Sequence, residues 1–365
     1  MCTSLLFNDL SGSVYAGRTL ELPVELPYLA AFLPKGTPLA SKTEAHAPLS
    51  FTARHDIFGI VVPNGTVEDL KFVEGINDAG LNYSILAFAD THGPEDTFAK
   101  DDEVLSAIDL GSWMLSQFAT VAEVKDGLQK QPVLVEALAA LGGTVPPFHY
   151  TVHDRSGASL VIEFFNGEMH LFDNPTGVMT NSPRFDWHMT NLNNYTHLSN
   201  IDHSSATFLG QDFIQPDSGI ATVTLPSSDT AVDRFVRAVY YAQFSEKVDG
   251  PDAAIRQLGH VMNKFDRPKG ASVYSSAKAS ALTKSATKMM GNASAEKPEY
   301  ITEYTSWITL IDLQRNTLFL RTYNSLGYVR FDLAALKANA NGPKVAPLEA
   351  FNQAADDAAN ILYSH

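Results

Sequence analysis

Cysteine is almost missing from this chain: a single one, Cys2, stands among 365 residues. That excludes an internal disulfide framework and any thiolate-rich metal site. Positive charge is scarce as well. There are 26 Lys and Arg against 41 Asp and Glu, a net charge of -15. Nucleic acid and anionic membranes need the opposite, clustered Lys and Arg, so neither is an expected partner. Long apolar runs are absent too. None approaches the roughly 18 residues of a membrane span; the nearest, from Leu26 to Leu33, contains Pro27 and is closed by Pro34. The opening MCTSLLFNDLSG has neither a basic n-region nor a long apolar stretch of the signal-peptide kind. As it stands the sequence predicts a cytoplasmic protein, or a periplasmic one where a natural signal has been cut away. No Gly-rich phosphate loop precedes a helix. His149 and His153 share one strand face, but no Cys or carboxylate ligand set stands near them, so neither metal nor cofactor is expected.

What is present is ordinary globular material, 45% hydrophobic, 10% aromatic and 18% charged, enough to bury a large core unaided. The length is great for one domain, yet single domains on large sheets reach it, and one domain over 1–365 is expected. Runs at 3–7 and 14–20 read as an opening hairpin around a turn at 9–13, which ties down the N-terminus. Further strand-like runs lie at 57–62, 81–89, 149–153, 159–165 and 169–172. A second hairpin spans 302–313 and 317–323 around Gln314-Arg315-Asn316. Helical periodicity covers about 107–118, 121–130, 230–244 and 251–265. Strands fall in antiparallel-looking groups with helices between the groups, which favours layered α+β over a doubly wound parallel fold. A stretch at about 271–297, rich in Ser, Ala, Lys and Thr, reads as a mobile surface excursion.

The lone cysteine is of interest for its place. Methionine aminopeptidase permits a side chain as small as Cys behind Met1, and the mature chain would then begin with Cys2. An α-amine has a reference pKa of about 7.7 to 8.0, so it is partly neutral at physiological pH. It can serve as general base for a nucleophile on the same residue. A thiol, with a reference pKa of about 8.5, needs only modest help to become thiolate. One residue then supplies nucleophile and base, with no histidine required.

Several blocks carry a resemblance. They are Met1-Cys2-Thr3, then Ala16-Gly17-Arg18-Thr19-Leu20-Glu21, and Gly75-Ile76-Asn77-Asp78-Ala79-Gly80-Leu81. Further along come Met179-Thr180-Asn181-Ser182-Pro183 with Trp187-His188, and Asp233-Arg234-Phe235-Val236-Arg237-Ala238. Asp266-Arg267-Pro268-Lys269-Gly270 and Thr302-Glu303-Tyr304-Thr305-Ser306 close the series. In order and over nearly the whole length, they resemble the choloylglycine hydrolase family, which contains bile salt hydrolases and penicillin V acylases. The resemblance implies a four-layer αββα sandwich of the N-terminal-nucleophile hydrolase type, and a homotetramer.

It also implies roles. Cys2 is the nucleophile. Arg18 stands beside the thiol and Arg234 approaches it from a second side. Glu21, where the family usually has Asp, holds the α-amine. Asn181 donates its side-chain amide to the developing oxyanion, with the backbone N–H of Ala87 as second donor. Ser182 and Trp187-His188 look closer to the penicillin acylase branch. The implied activity is hydrolysis of linear acyl amides: penicillin V-like phenoxyacetamides first, bile-acid conjugates second, N-acyl homoserine lactones third. The competing expectation is a catalytically impaired acyl-amide binder, disabled by Glu21 and Ala87.

Overall fold

The computed structural model describes residues 1–23, 25–64, 66–137, 143–274 and 300–354. Two antiparallel sheets dominate them. One has five strands in the order Cys2–Asn8, Val14–Leu22, Tyr304–Asp312, Thr317–Thr322 and Val329–Asp332. The other has eight, ordered Glu168–Asp173, Ser159–Phe165, Phe148–His153, Asn82–Ala87, Thr66–Asn77, Ile57–Asn64, Leu29–Leu33 and Lys344–Pro347.

Period-two alternation divides the eight-stranded sheet between two cores. Phe58, Ile60, Ile76 and Leu86 share a core with the five-stranded sheet. Ile57, Tyr83 and Ile85 belong to a second core, under the helices Leu110–Gln117 and Val121–Leu128. The helices Ala231–Phe244 and Pro251–Met262 cover the five-stranded sheet through Phe235, Leu258 and Met262. They lie so close that a Cβ at Gly17 would come within 2.7 Å of the Met262 sulfur. The layers therefore run helix, sheet, sheet, helix.

Local chemistry accounts for the elements that position the site. The Asp9 carboxylate organises the first turn, accepting from the backbone N–H groups of Ser11 and Ser13, both at 2.9 Å, and from the Tyr15 hydroxyl at 2.8 Å. The hairpin that results pairs Asn8 with Val14 and Cys2 with Leu20. Thr230 caps the helix that carries Arg234, its hydroxyl accepting from the Asp233 N–H at 3.3 Å. In the turn leading into Asn82–Ala87, Asn77 Oδ1 accepts from the N–H groups of Ala79 at 3.1 Å and Leu81 at 3.0 Å.

Both expected hairpins and the four expected helices are present, with two helices beginning or ending as short 3-10 turns at Ala107–Asp109 and Asn263–Phe265. Sequence reading missed the twelve-residue strand Thr66–Asn77. Its charged residues Glu68, Asp69, Lys71 and Glu74 mask the alternation expected of a strand. The expected excursion lies outside the described residues from 275 on; ahead of it, Val273–Tyr274 pairs with Ile301–Thr302. Among the described residues no helix is long and apolar enough to cross a membrane.

Candidate active site

The hairpin register places the thiol. Cys2 lies opposite Leu20 and Ser4 opposite Arg18, so the side chains of all four point to one face, toward the second sheet. Cys2 is 4% exposed. Arg18 Nη2 stands 3.6 Å from Cys2 Sγ, a fixed positive charge against the sulfur. Both terminal nitrogens of the guanidinium are held. It pairs with Glu74 at 2.9 Å, donates to the carbonyls of Val73 and Ile85, and stacks over Trp307 at 5.0 Å. Glu74 is satisfied in turn by Asn82 at 2.7 Å and Ser84 at 2.6 Å, as a buried ion must be.

A different segment supplies Asn181. Ser4 and Met179 exchange two backbone hydrogen bonds, at 2.8 and 2.9 Å, along the free edge of the first strand. Two residues along that antiparallel bridge, Asn181 comes opposite Cys2. Its amide orientation follows from its neighbours. Oδ1 accepts from the Cys2 nitrogen at 2.8 Å and from Arg234 Nη2 at 2.8 Å, while Nδ2 donates to the Ala87 carbonyl at 2.8 Å. A flipped amide would set donor against donor twice. One Nδ2 hydrogen is thereby used and the second is available.

Ala87 joins the same cluster by strand geometry. Phe88 donates its N–H to Pro147 across the sheet, so the main-chain groups of Ala87 point to the opposite edge. That is the edge where Arg18 takes the Ile85 carbonyl and where pairing with Thr66–Asn77 has ended at Ser84. Arg234 is at the site, but it does not bond the sulfur. Its Nη1 donates to the Cys2 carbonyl and to the Thr3 hydroxyl at 2.7 Å, from the helix side of the sheet.

Glu21 is the expectation the geometry modifies. Because Cys2 faces Leu20, the side chain of Glu21 falls on the other face of the sheet. Its Oε1 accepts from the Thr305 hydroxyl at 3.3 Å, and Oε2 has no hydrogen-bond partner among the described residues. Burial pushes this carboxyl above its ordinary value, against the pull of Arg234 and the Met1 α-ammonium. With Met1 in place, Glu21 holds Met1 through its backbone: its N–H donates to the Met1 carbonyl at 2.7 Å and its carbonyl accepts from the Met1 ammonium. A carboxylate does reach that ammonium, and it is Glu303, at 2.7 Å.

Residues 2–346 match the family of linear amide C–N hydrolases described as the choloylglycine hydrolase family. The chain belongs to that family. A conjugated bile acid hydrolase of Lactobacillus gasseri is 30% identical over 277 residues, covering 75% of this chain and 84% of the relative. A penicillin V acylase of Pectobacterium atrosepticum is 26% identical over 278 residues, covering 76% of this chain and 65% of the relative. A crystal structure of a variant of the Clostridium perfringens conjugated bile acid hydrolase superposes with a TM-score of 0.77 at 20% identity, over 95% of this chain and 97% of that one. Penicillin V acylase from Agrobacterium tumefaciens gives 0.72 at 21% identity, over 95% and 92%. The αββα layering is accordingly the N-terminal-nucleophile hydrolase fold.

In this choloylglycine hydrolase family member the thiol opens on an apolar cavity of about 140 Å³ lined by Leu20, Tyr28, Val73, Leu86, Ala87 and Phe148 among others. Asn64, Lys71, Phe72 and Ile108 form its far wall and also line a second cavity of about 850 Å³. Behind the site, the roles of His149 and His188, and Glu163 altogether, escaped sequence reading. His149 lies 3.0 Å from Glu163 and 3.2 Å from the Thr180 carbonyl, and all three residues are buried. The carboxylate beside that histidine was not foreseen; it sits on the adjacent strand, fourteen residues on. His188 Nε2 donates to the Asn181 carbonyl at 2.8 Å, and burial pushes its imidazole down to about 4, so it is neutral at pH 7. The main chain on both sides of Asn181 is thus clamped by histidines.

Proposed function

We propose that this hydrolase cleaves linear amides of small aromatic acyl groups with Cys2 as nucleophile, after removal of Met1. The observation that carries the reading is the meeting, at one thiol, of Arg18 at 3.6 Å and an Asn181 amide whose oxygen receives the Cys2 nitrogen. The free α-amine takes the thiol proton as sulfur attacks the amide carbon. Negative charge then develops on the former carbonyl oxygen, where the second Nδ2 hydrogen of Asn181 and the Ala87 N–H are available as donors. Collapse breaks the C–N bond, and the α-ammonium returns the proton to the departing nitrogen. Water, deprotonated by the same amine, hydrolyses the acyl-thioester and restores the thiol.

The cavity supports the ranking of acyl groups. An apolar void of about 150 Å³ is what one benzene ring fills. Phenoxyacetamides, the penicillin V type, therefore rank first. A steroid acyl group, as in bile-acid conjugates, ranks second and requires passage over Phe72 into the larger cavity. N-acyl homoserine lactones rank third. A single experiment separates an enzyme from an acyl-amide binder with impaired chemistry. Rapid acid quench with a phenoxyacetyl amide is expected to add one phenoxyacetyl mass to the N-terminal peptide that starts at Cys2. Undiminished turnover by Cys2→Ser would remove Cys2 as nucleophile.

Glu21 supplies a second test. Glu21→Gln keeps the shape and removes the charge, so a free α-amine loses a buried carboxylate near it. Turnover at neutral pH is expected to fall roughly tenfold and the pH–rate profile to shift, since the amine acts as both acid and base. A profile superimposable on that of the unaltered protein would take Glu21 out of the site. The family reading also carries a homotetramer, which sedimentation equilibrium decides.

A further inference from the structure

Glu303 is a buried carboxylate whose two oxygens are treated differently. Oε2 accepts from Arg267 at 3.2 Å and from the Tyr274 hydroxyl at 3.2 Å. Oε1, among the described residues, accepts from the Met1 α-ammonium at 2.7 Å. Arg267 is tied down elsewhere. Its N–H donates to the Thr305 hydroxyl at 2.8 Å, its carbonyl accepts from the Thr305 N–H at 3.1 Å, and its Nε pairs with Asp229 at 3.3 Å. Burial by itself would raise the Glu303 carboxyl, but the Met1 ammonium and Arg267 hold it below its ordinary value.

When Met1 leaves, three polar groups lose their partner together: Glu303 Oε1, the Glu21 N–H and the Glu21 carbonyl. Leaving buried groups unpaired is costly. The slot begins at the Cys2 nitrogen, because Met1 was bonded to it. The α-amine must hand its proton to the departing nitrogen of the substrate, so that nitrogen stands beside the Cys2 nitrogen, at the mouth of the same slot.

We infer that the space Met1 vacates is the leaving-group subsite, and that Glu303 selects there for amides whose amine half carries a second, cationic nitrogen. This rests on the proposed loss of Met1. The Met1 ammonium is the template for the ligand: a primary ammonium on Glu303, and a short polar link that pairs with the Glu21 backbone as the Met1 carbonyl does. Acylated short diamines and amides of α-ammonium compounds have that form. Amides of glycine or taurine would instead bring an anion toward a carboxylate.

The test compares three phenoxyacetyl amides on the Met1-free protein, those of ethylenediamine, propylamine and glycine. kcat/KM is expected to be about tenfold higher for the cationic amide than for the neutral one, a charge pair's worth, and lowest for the anionic one. Glu303→Gln is expected to bring the cationic-to-neutral ratio close to one. A ratio unchanged by Glu303→Gln overturns the inference. So does an equal fall in kcat for all three amides, which would mean that Glu303 positions the α-amine instead. Binding provides a readout that needs no turnover. Methioninamide should bind the Met1-free protein in a calorimeter, should lose that binding in Glu303→Gln, and should not bind protein that retains Met1. Absent binding to the Met1-free protein overturns the subsite; binding without any amide turnover would leave the subsite standing and sink the hydrolase reading.

Discussion

Protein that keeps Met1 is expected to hydrolyse no amide. In that form the Cys2 nitrogen is a peptide N–H that donates to Asn181 Oδ1, with no basic lone pair to offer the thiol. The nearest amine is the one on Met1, and it is ion-paired with Glu303 and bonded to the Glu21 carbonyl. The slot next to the thiol is filled as well. General acid–base catalysis alone contributes about 10²–10⁴, so the loss should exceed a hundredfold before steric exclusion is counted. Expression with the methionine-removing peptidase inhibited would yield mixtures, and intact mass would report the fraction retaining Met1. Turnover should fall linearly with that fraction and extrapolate to zero. A fully retained sample with undiminished turnover would end the N-terminal-nucleophile mechanism for this chain.

Cys2 could be read from its position, most of the other site residues from the family resemblance, and the parts that neither reached share a physical cause. Cys2, Arg18, Asn181 and Arg234 stand in short blocks that follow the family's order, Ala87 was placed by counting on from one of them, and the fold brings all five together. The side on which each one acts is a matter of strand parity. Glu21 was expected to hold the α-amine, yet the pairing of Asn8 with Val14 fixes Cys2 opposite Leu20 and turns Glu21 to the helix-side face. A slip of one residue would have reversed that. Glu303 stood inside a recognised block but had no visible task, since its partner is a chain terminus 302 residues away. His149 and His188 act on main-chain carbonyls, Glu163 accepts from His149 and from the Phe185 N–H, and no side-chain spacing announces such contacts. At the level of the fold, the amphipathic helices and both hairpins were legible from periodicity. Thr66–Asn77 was not, because its Glu74 serves Arg18 and its Lys71 serves Asp109 at 2.6 Å, interrupting the apolar pattern.

Asn181 offers the sharpest separation of chemistry from architecture. Asn181→Ala removes an aimed donor worth about 2.7 to 4 kcal/mol in the transition state, a fall in kcat of roughly 10²–10³ with KM little changed. It also takes away an acceptor from Arg234, so thermal stability should drop too. Asn181→Asp divides the two effects. One carboxylate oxygen can still accept from Arg234 and from the Cys2 nitrogen, and both contacts gain charge. The other replaces a donor with an anion that faces the Ala87 carbonyl and the developing oxyanion. The aspartate variant is therefore expected to be the more stable of the two and the less active. A purely structural asparagine predicts another pattern: Asp, which also suits turns, would be the milder change in both respects. Melting temperatures and kcat for the pair decide between them. If Asn181→Asp keeps most of its turnover, Asn181 is an architectural residue and the oxyanion must be held by other groups.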